Sequence, residues 1–144
     1  MKRIFPATLI ATAFLAFAAF AQEEGSDVES QGDTRIKNPV AEFSGLDKIT
    51  GRIISFDVYI DETVQFGALQ VTPRVCYSRP SSEAPRTSGF VEVDEITLDR
   101  KIRRIFTGWM FADSPGLNAV EHPVYDVWLK GCKEQSEVPP PQKG

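Results

Sequence analysis

The sequence predicts a mostly β fold, a small antiparallel barrel or sandwich of about five strands with one short helical turn and one disulfide. Three observations predict it. Apolar and polar residues alternate with the period of two that a half-buried strand requires. Gly, Pro, Ser and acidic clusters punctuate the alternating runs. No stretch between the runs holds a helix long enough to cross over and join parallel strands.

The first run is Ile53 to Ile60, in which Ile54, Phe56, Val58 and Ile60 point one way while Ser55, Asp57 and Tyr59 point the other. After Asp61-Glu62, the stretch Val64 to Tyr77 is rich in β-branched and aromatic residues, and Pro73 within it marks an edge position or a bulge. Arg79 to Ser88 contains Pro80, Pro85 and three Ser, which makes it a loop. Gly89 to Leu98 follows as a strand with Phe90, Val93 and Ile96 as its apolar marks, and Ile102 to Phe111 as the next. In Ala112 to Glu121, Ser114-Pro115 has the form of an N-cap followed by Pro at the first helical position. Gly116 limits that helix to a single turn, placed across one end of the sheet. His122 to Leu129 is the last strand.

The ends of the chain have a different character. Lys2 and Arg3 precede an apolar run from Leu9 to Phe20, too short for the roughly 20 residues that span a bilayer. It closes on Ala19-Phe20-Ala21, small residues where signal peptidase cuts, so residues 1–21 read as a cleaved secretory signal. No Cys follows to carry a lipid anchor. Residues 22–37 form an acidic leader and residues 134–144 a tail containing Pro139-Pro140-Pro141, both too polar to order themselves. The predicted domain is therefore 38–133, with no transmembrane segment after cleavage.

Length and charge exclude several classes. A chain of 144 residues supports one core, and a formal net charge of −4 gives no basis for binding nucleic acid. Loss of Lys2 and Arg3 with the signal moves that charge to −6. One His and two Cys cannot furnish a His-rich or Cys-rich metal centre, and no motif calls for a cofactor. In an oxidising compartment, an even pair without C-x-x-C spacing reads as one structural disulfide, Cys76 to Cys132.

At Leu46-Asp47-Lys48-Ile49-Thr50-Gly51, and along the run from Gly108-Trp109-Met110-Phe111-Ala112-Asp113-Ser114-Pro115-Gly116 to Glu121-His122-Pro123-Val124-Tyr125-Asp126-Val127-Trp128, the sequence resembles the bacterial family called domain of unknown function 2155. The resemblance covers about Asn38 to Lys133, including both cysteines. It implies a small exported protein, mainly alphaproteobacterial, and a Gram-negative periplasm. It implies no activity, ligand or catalytic residue.

Two constellations stand out. Trp109, Phe111, Tyr125 and Trp128 gather near His122, with Asp113, Glu121 and Asp126 close in sequence. Such rings can stack on a sugar or peptide while carboxylates bind its polar groups, or they can simply be core and sheet residues. Glu121 and Asp126 could act as acid and base on a glycoside if their carboxyls stood about 5–10 Å apart. His122, before Pro123, is held extended and can hydrogen-bond a loop or act as a pH-sensitive group. The second constellation is Arg100, Lys101, Arg103 and Arg104, which could meet anionic lipid, lipopolysaccharide or an acidic protein. The acidic Glu92, Asp94 and Glu95 just before them equally suit a charged hairpin that resists edge-to-edge pairing.

The function expected is a non-catalytic periplasmic binding domain acting on an envelope protein or glycan. Its candidate contacts are Trp109, Phe111, Tyr125, Arg100, Lys101, Arg103 and Arg104. The alternatives are a small envelope hydrolase using Glu121, His122 or Asp126, and a structural accessory subunit of an envelope complex. Oligomeric state is left open.

Overall fold

The computed structural model describes residues 35–80, 82 and 86–142. The predicted signal peptide, and all of the predicted leader before residue 35, lie outside them. Eight strands form: β1 (Ile36–Lys37), β2 (Val40–Asp47), β3 (Arg52–Tyr59), β4 (Val64–Phe66), β5 (Leu69–Ser78), β6 (Ser88–Ile96), β7 (Ile102–Phe111) and β8 (Tyr125–Lys133). They make two antiparallel sheets, neither closed. One has the order β1-β5-β6-β7, with β4 also on β5; the other has the order β3-β2-β8. β5 carries both short strands on one edge, β4 against Leu69 to Val71 and β1 against Tyr77 and Ser78.

β2 sits between β3 and β8, and its apolar residues do not alternate, because both of its faces are covered: Val40, Ala41, Phe43 and Ser44 are all buried. Gly45 is required there, since a Cβ would stand 2.7 Å from the Phe66 ring that lies on it. The turn into β3 is closed by Gly51 N–H donating to the Asp47 carbonyl at 2.8 Å, with the Asp47 carboxylate accepting from Ile49 and Thr50 N–H. At Gly67 and Ala68 the long run read as one strand folds back into β4 and β5. Gly67 has φ +57°, and a Cβ on it would meet the Tyr125 ring at 2.3 Å.

Three strands carry one unmatched residue each. The pairing of β5 with β6 passes from Pro73–Val91 to Val75–Phe90, leaving Arg74 extra, so the bulge marked by Pro73 is present. β7 has Ile105 extra against β6, and β8 has Lys130 extra against β2. Each bulge reverses which face the following residues occupy. Leu69, Val71 and Pro73 face the core before Arg74, and Cys76 faces it afterwards. Val127 and Leu129 face it before Lys130, and Cys132 packs against it afterwards.

The core lies between the two sheets and is built from Phe43 and Val58 on one side and Leu69, Val71, Val91, Val93 and Met110 on the other. Rings run through it in a row: Phe43 to Phe56 at 5.8 Å, Phe56 to Phe66 at 5.7 Å, Phe66 to Tyr125 at 5.5 Å. The Cys76–Cys132 disulfide, with Cα atoms 5.8 Å apart, joins β5 of one sheet to β8 of the other. It ties the two sheets together.

The expected helical turn is corrected: among the described residues no helix forms, and the stretch from Ala112 to Glu121 is a succession of turns. Ser114 N–H donates to the Phe111 carbonyl at 3.2 Å and Leu117 N–H to the Ser114 carbonyl at 3.0 Å. Asn118 Nδ2 then donates to the Trp109 carbonyl, and Val120 enters the core. This segment carries the chain from the end of β7 in one sheet to the start of β8 in the other.

The strand boundaries shift at both ends. β8 starts at Tyr125 rather than at His122, because His122 Nδ1 accepts from the Val124 and Tyr125 N–H groups at 3.0 and 3.1 Å. The sheet begins at Ile36, two residues before the predicted domain start. Part of the predicted tail is tethered to β3: Ser136 Oγ donates to Asp57 at 2.5 Å and the Tyr59 hydroxyl to the Val138 carbonyl at 2.7 Å.

Candidate functional site

In β6 and β7 the residues Val91, Val93 and Met110 turn inward, so Phe90 and Trp109, paired across the two strands, turn outward. The Arg74 bulge sets Tyr77 on the same outer face. Trp109 stacks on Tyr77 at 6.2 Å and meets Phe90 edge-on at 5.6 Å. It keeps 36% of its surface exposed. The Arg35 guanidinium lies 4.9 Å above the Tyr77 ring. Beside these rings, where β5 and β7 end and β6 begins, a cleft of about 470 Å³ is lined by Arg35, Tyr77, Arg79, Arg86, Phe111 and Asp113, among others.

Further along the same face the side chains are ionic and mutually paired. Arg74 donates to Glu92 at 3.0 Å and to Asp61 at 3.1 Å. Arg104 donates to Asp94 at 2.5 Å and stands 3.4 Å from Glu92. Arg103 meets Glu95 at 2.6 Å on the opposite, core-side face, since Glu95 shares the parity of Val91 and Val93 and pairs with the buried Leu69. At the hairpin tip Arg100 has φ +63° and Lys101 lies 3.5 Å from Asp99. The face therefore has an aromatic half and an ion-paired half.

The predicted residues divide between these places. Trp109 and Phe111 belong to the aromatic half. Tyr125 belongs to the core row, with its ring against Phe66 and 5.4 Å from His122. Arg103 and Arg104 are ladder partners of carboxylates on β6, while Arg100 and Lys101 form the tip. Glu121 is exposed, and Asp126 pairs with Lys48 at 2.9 Å.

His122 is spent on structure. With Nδ1 accepting two backbone N–H groups, the ring proton sits on Nε2, 3.2 Å from Glu95. Glu95 is held below the usual carboxylate range, chiefly by the hydrogen bond from Arg103 and further by His122, against the opposing effect of burial. Glu121 and Asp126 take no part in this contact.

The sequence reading missed Tyr77, Phe90, Arg35, Arg79 and Arg86. Phe90 was legible as an outward residue from Val91 and Val93, which share the other parity. The arginines stand before β1 and in the loop before β6, and sequence separation conceals that pairing brings them together. Among the described residues no group of three His, Cys, Asp or Glu could hold a metal ion, and no helix is long and apolar enough to cross a membrane.

These features define a two-sheet antiparallel β domain, stapled between its sheets by a disulfide and carrying an aromatic, arginine-lined outer face. The chain belongs to the family described as uncharacterized protein conserved in bacteria (DUF2155), whose model matches residues 41–132. That span runs from β2 to Cys132. The chain is also 25% identical over 87 residues to an uncharacterised protein of Rickettsia prowazekii (strain Madrid E), RP359. The match covers 60% of this chain and 56% of that protein, so the chain spans little more than half the length of its relative. No solved structure matches the chain.

Proposed function

We propose that the protein is a non-catalytic binding domain of the bacterial periplasm, exported by cleavage after Ala21, which docks an envelope component on the outer face of its five-stranded sheet. The observation that carries this reading is the Tyr77–Trp109–Phe90 cluster on the side of the sheet away from the core. Core burial does not need these rings there, and large rigid rings beside a cleft are the groups from which binding energy is drawn. The inter-sheet disulfide supports an oxidising compartment. The contact surface proposed is Tyr77, Phe90, Trp109 and Phe111. Arg104 sits at its margin and is already neutralised by Asp94, while Arg103 pairs with Glu95 on the opposite face of the sheet.

Photo-crosslinking in living cells tests this. A photoreactive side chain at position 111 should capture a discrete envelope partner, and one at position 53, where Ile53 is 60% exposed on the other sheet, should not. Equal capture at both positions would refute a docking face on the five-stranded sheet. N-terminal sequencing of the envelope form should begin at Gln22.

A further inference from the structure

We propose that the end of the domain formed by the β2–β3 and β6–β7 turns rests reversibly on an anionic phospholipid bilayer, with Ile49 and Leu98 entering the headgroup boundary and Arg52 and Arg100 meeting lipid phosphates. The inference goes beyond the docking face and shares no residue with it. Leu98 and Ile49 are the two most exposed large hydrophobic side chains among the described residues, their relative exposures being 107% and 78%. Each stands in the turn of a hairpin, and Ile102, where β7 begins, is exposed as well. Asp47, just before the first turn, pairs with both Arg52 and Tyr125, which places that turn beside the start of β8. A series of contacts then ties it to the second turn across the two sheets. Lys48 Nζ donates to the His122 carbonyl at 2.8 Å, His122 Nε2 stands 3.2 Å from Glu95, and Glu95 accepts from Arg103. Sheets packed face to face lie about 10 Å apart, so the two tips are presented side by side.

The β6–β7 turn is fixed without help from Leu98 or from the Arg100 side chain. Thr97 N–H donates to the Lys101 carbonyl at 2.8 Å, Arg100 N–H donates to the Thr97 carbonyl at 2.9 Å, and the Thr97 hydroxyl holds Asp99. Arg100 has φ +63°, a conformation that favours glycine, so the fold gains nothing from an arginine there. Among the described residues no carboxylate pairs with Arg100 or with Arg52. The exposed charges of this end are five basic, Lys48, Arg52, Arg100, Lys101 and Arg103, against two acidic, Asp99 and Glu121. Its remaining carboxylates are half-buried and engaged: Asp47 with the N–H groups of its turn, Glu95 with Arg103 and Asp126 with Lys48. Protein interfaces are anchored mainly by aromatic side chains and are depleted in Lys. At these tips the anchors are aliphatic and protrude, with Arg and Lys beside them. A bilayer accepts such tips into its apolar boundary while the long cations reach its phosphates.

The test is flotation of the disulfide-bonded chain from Gln22 to Gly144 with vesicles of mixed phosphatidylglycerol and phosphatidylcholine, or of phosphatidylcholine alone. That chain keeps both sheets and the bridge and lacks the apolar run from Leu9 to Phe20, which would enter a bilayer by itself. The anionic vesicles should float the protein at low salt and release it as salt rises. They should also perturb the amide resonances of Ile49, Leu98 and Arg100 and leave that of Trp109 in place. Leu98→Ser should weaken binding at least about tenfold, the loss expected for one leucine side chain taken out of an apolar environment. Arg100→Gly should weaken it about fivefold, the worth of one basic side chain at an anionic surface. The urea midpoint should not fall in Arg100→Gly, because glycine suits that backbone. Both positions are exposed, so both variants keep the sheets, as near-ultraviolet circular dichroism would verify. Absence of flotation at low salt, equal flotation by phosphatidylcholine alone, or indifference to either substitution would each overturn the proposal. A photoreactive side chain at position 98 that captures a protein in cells, with no flotation by anionic vesicles, would assign this end to a protein partner instead. None of these outcomes depends on crosslinking at position 111, which tests the sheet face.

Discussion

Removing the inter-sheet bridge is the perturbation whose size follows most directly from the fold. Cys76 and Cys132 are 56 positions apart, and the chain-entropy model assigns a loop of that length about 4 kcal/mol of stabilisation. Cys76 is wholly buried between the sheets, so replacing both cysteines with Ala adds a small cavity worth about 1 kcal/mol. Against a total of about 5–15 kcal/mol for a domain of this kind, the double variant is left marginal. Urea unfolding of the oxidised protein, the reduced protein and Cys76→Ala/Cys132→Ala measures each contribution. The free energy of unfolding should fall by about 3–5 kcal/mol in the double variant and by slightly less on reduction alone. Because the bond joins β5 to β8, hydrogen exchange should quicken first in β2 and β8, whose sheet loses its covalent tie to β5. A loss below about 1 kcal/mol would refute the reasoning, since the loop term alone exceeds it.

Other perturbations test single contacts. Gly67→Ala should cost about 2–4 kcal/mol, from a left-handed backbone and a Cβ placed 2.3 Å from the Tyr125 ring. Gly51→Ala, with φ +71° and nothing within 4 Å, should cost about 1 kcal/mol from backbone alone, and equal losses by urea unfolding would contradict the ring contact. His122→Ala strands two N–H groups and should destabilise by about 1–3 kcal/mol, with amide exchange at Val124 and Tyr125 accelerated. Burial opposes the Asp57 charge most, yet hydrogen bonds from Ser136 and Lys133 and the charges of Lys133 and Lys130 bring its pKa below the ordinary 3.8. Its contribution is therefore complete above that value and lost as pH falls from about 3.8 toward the folded pKa, so the gap in melting temperature between wild type and Asp57→Asn should close on acidification. Arg103→Glu/Arg104→Glu should destabilise by about 1–2 kcal/mol, because it sets like charges across from Glu95 and Asp94; an unchanged urea midpoint would show the ladder to be inert.

The fold class was legible because β3 and β6 each keep one face in the core, and alternation survives in such strands. β2 was not, because a strand buried on both faces has no alternation to read. The bridge was legible from the even count and the expected export, but not its position. Counting by twos along β5 places Cys76 with Gln70 and Arg74, but the bulges at Arg74 and Lys130 reverse that parity and turn both cysteines inward. Trp109 and Phe111 stood out by residue type alone. What separated them from Tyr125 was a tertiary fact, the Phe66 ring and the Gly67 backbone that enclose Tyr125. The basic run was equally ambiguous until the β6–β7 register set Arg103 opposite Glu95 and Arg104 opposite Asp94. Arg35, Arg79 and Arg86 converge only because β1 and β6 flank β5 at the end where Tyr77 stands.

The two tryptophans allow the proposed docking face to be tested inside the cell. Trp109 lies on the outer face of the five-stranded sheet, and Trp128, between the buried Val127 and Leu129, on the outer face of the three-stranded one. Hydroxyl-radical footprinting, in cells and on the purified protein, compares them within one molecule. A docked partner predicts that Trp109 is protected in cells relative to the purified protein while Trp128 oxidises equally in both. Equal oxidation of Trp109 in the two settings, or protection of Trp128 alone, would contradict a partner on the aromatic face.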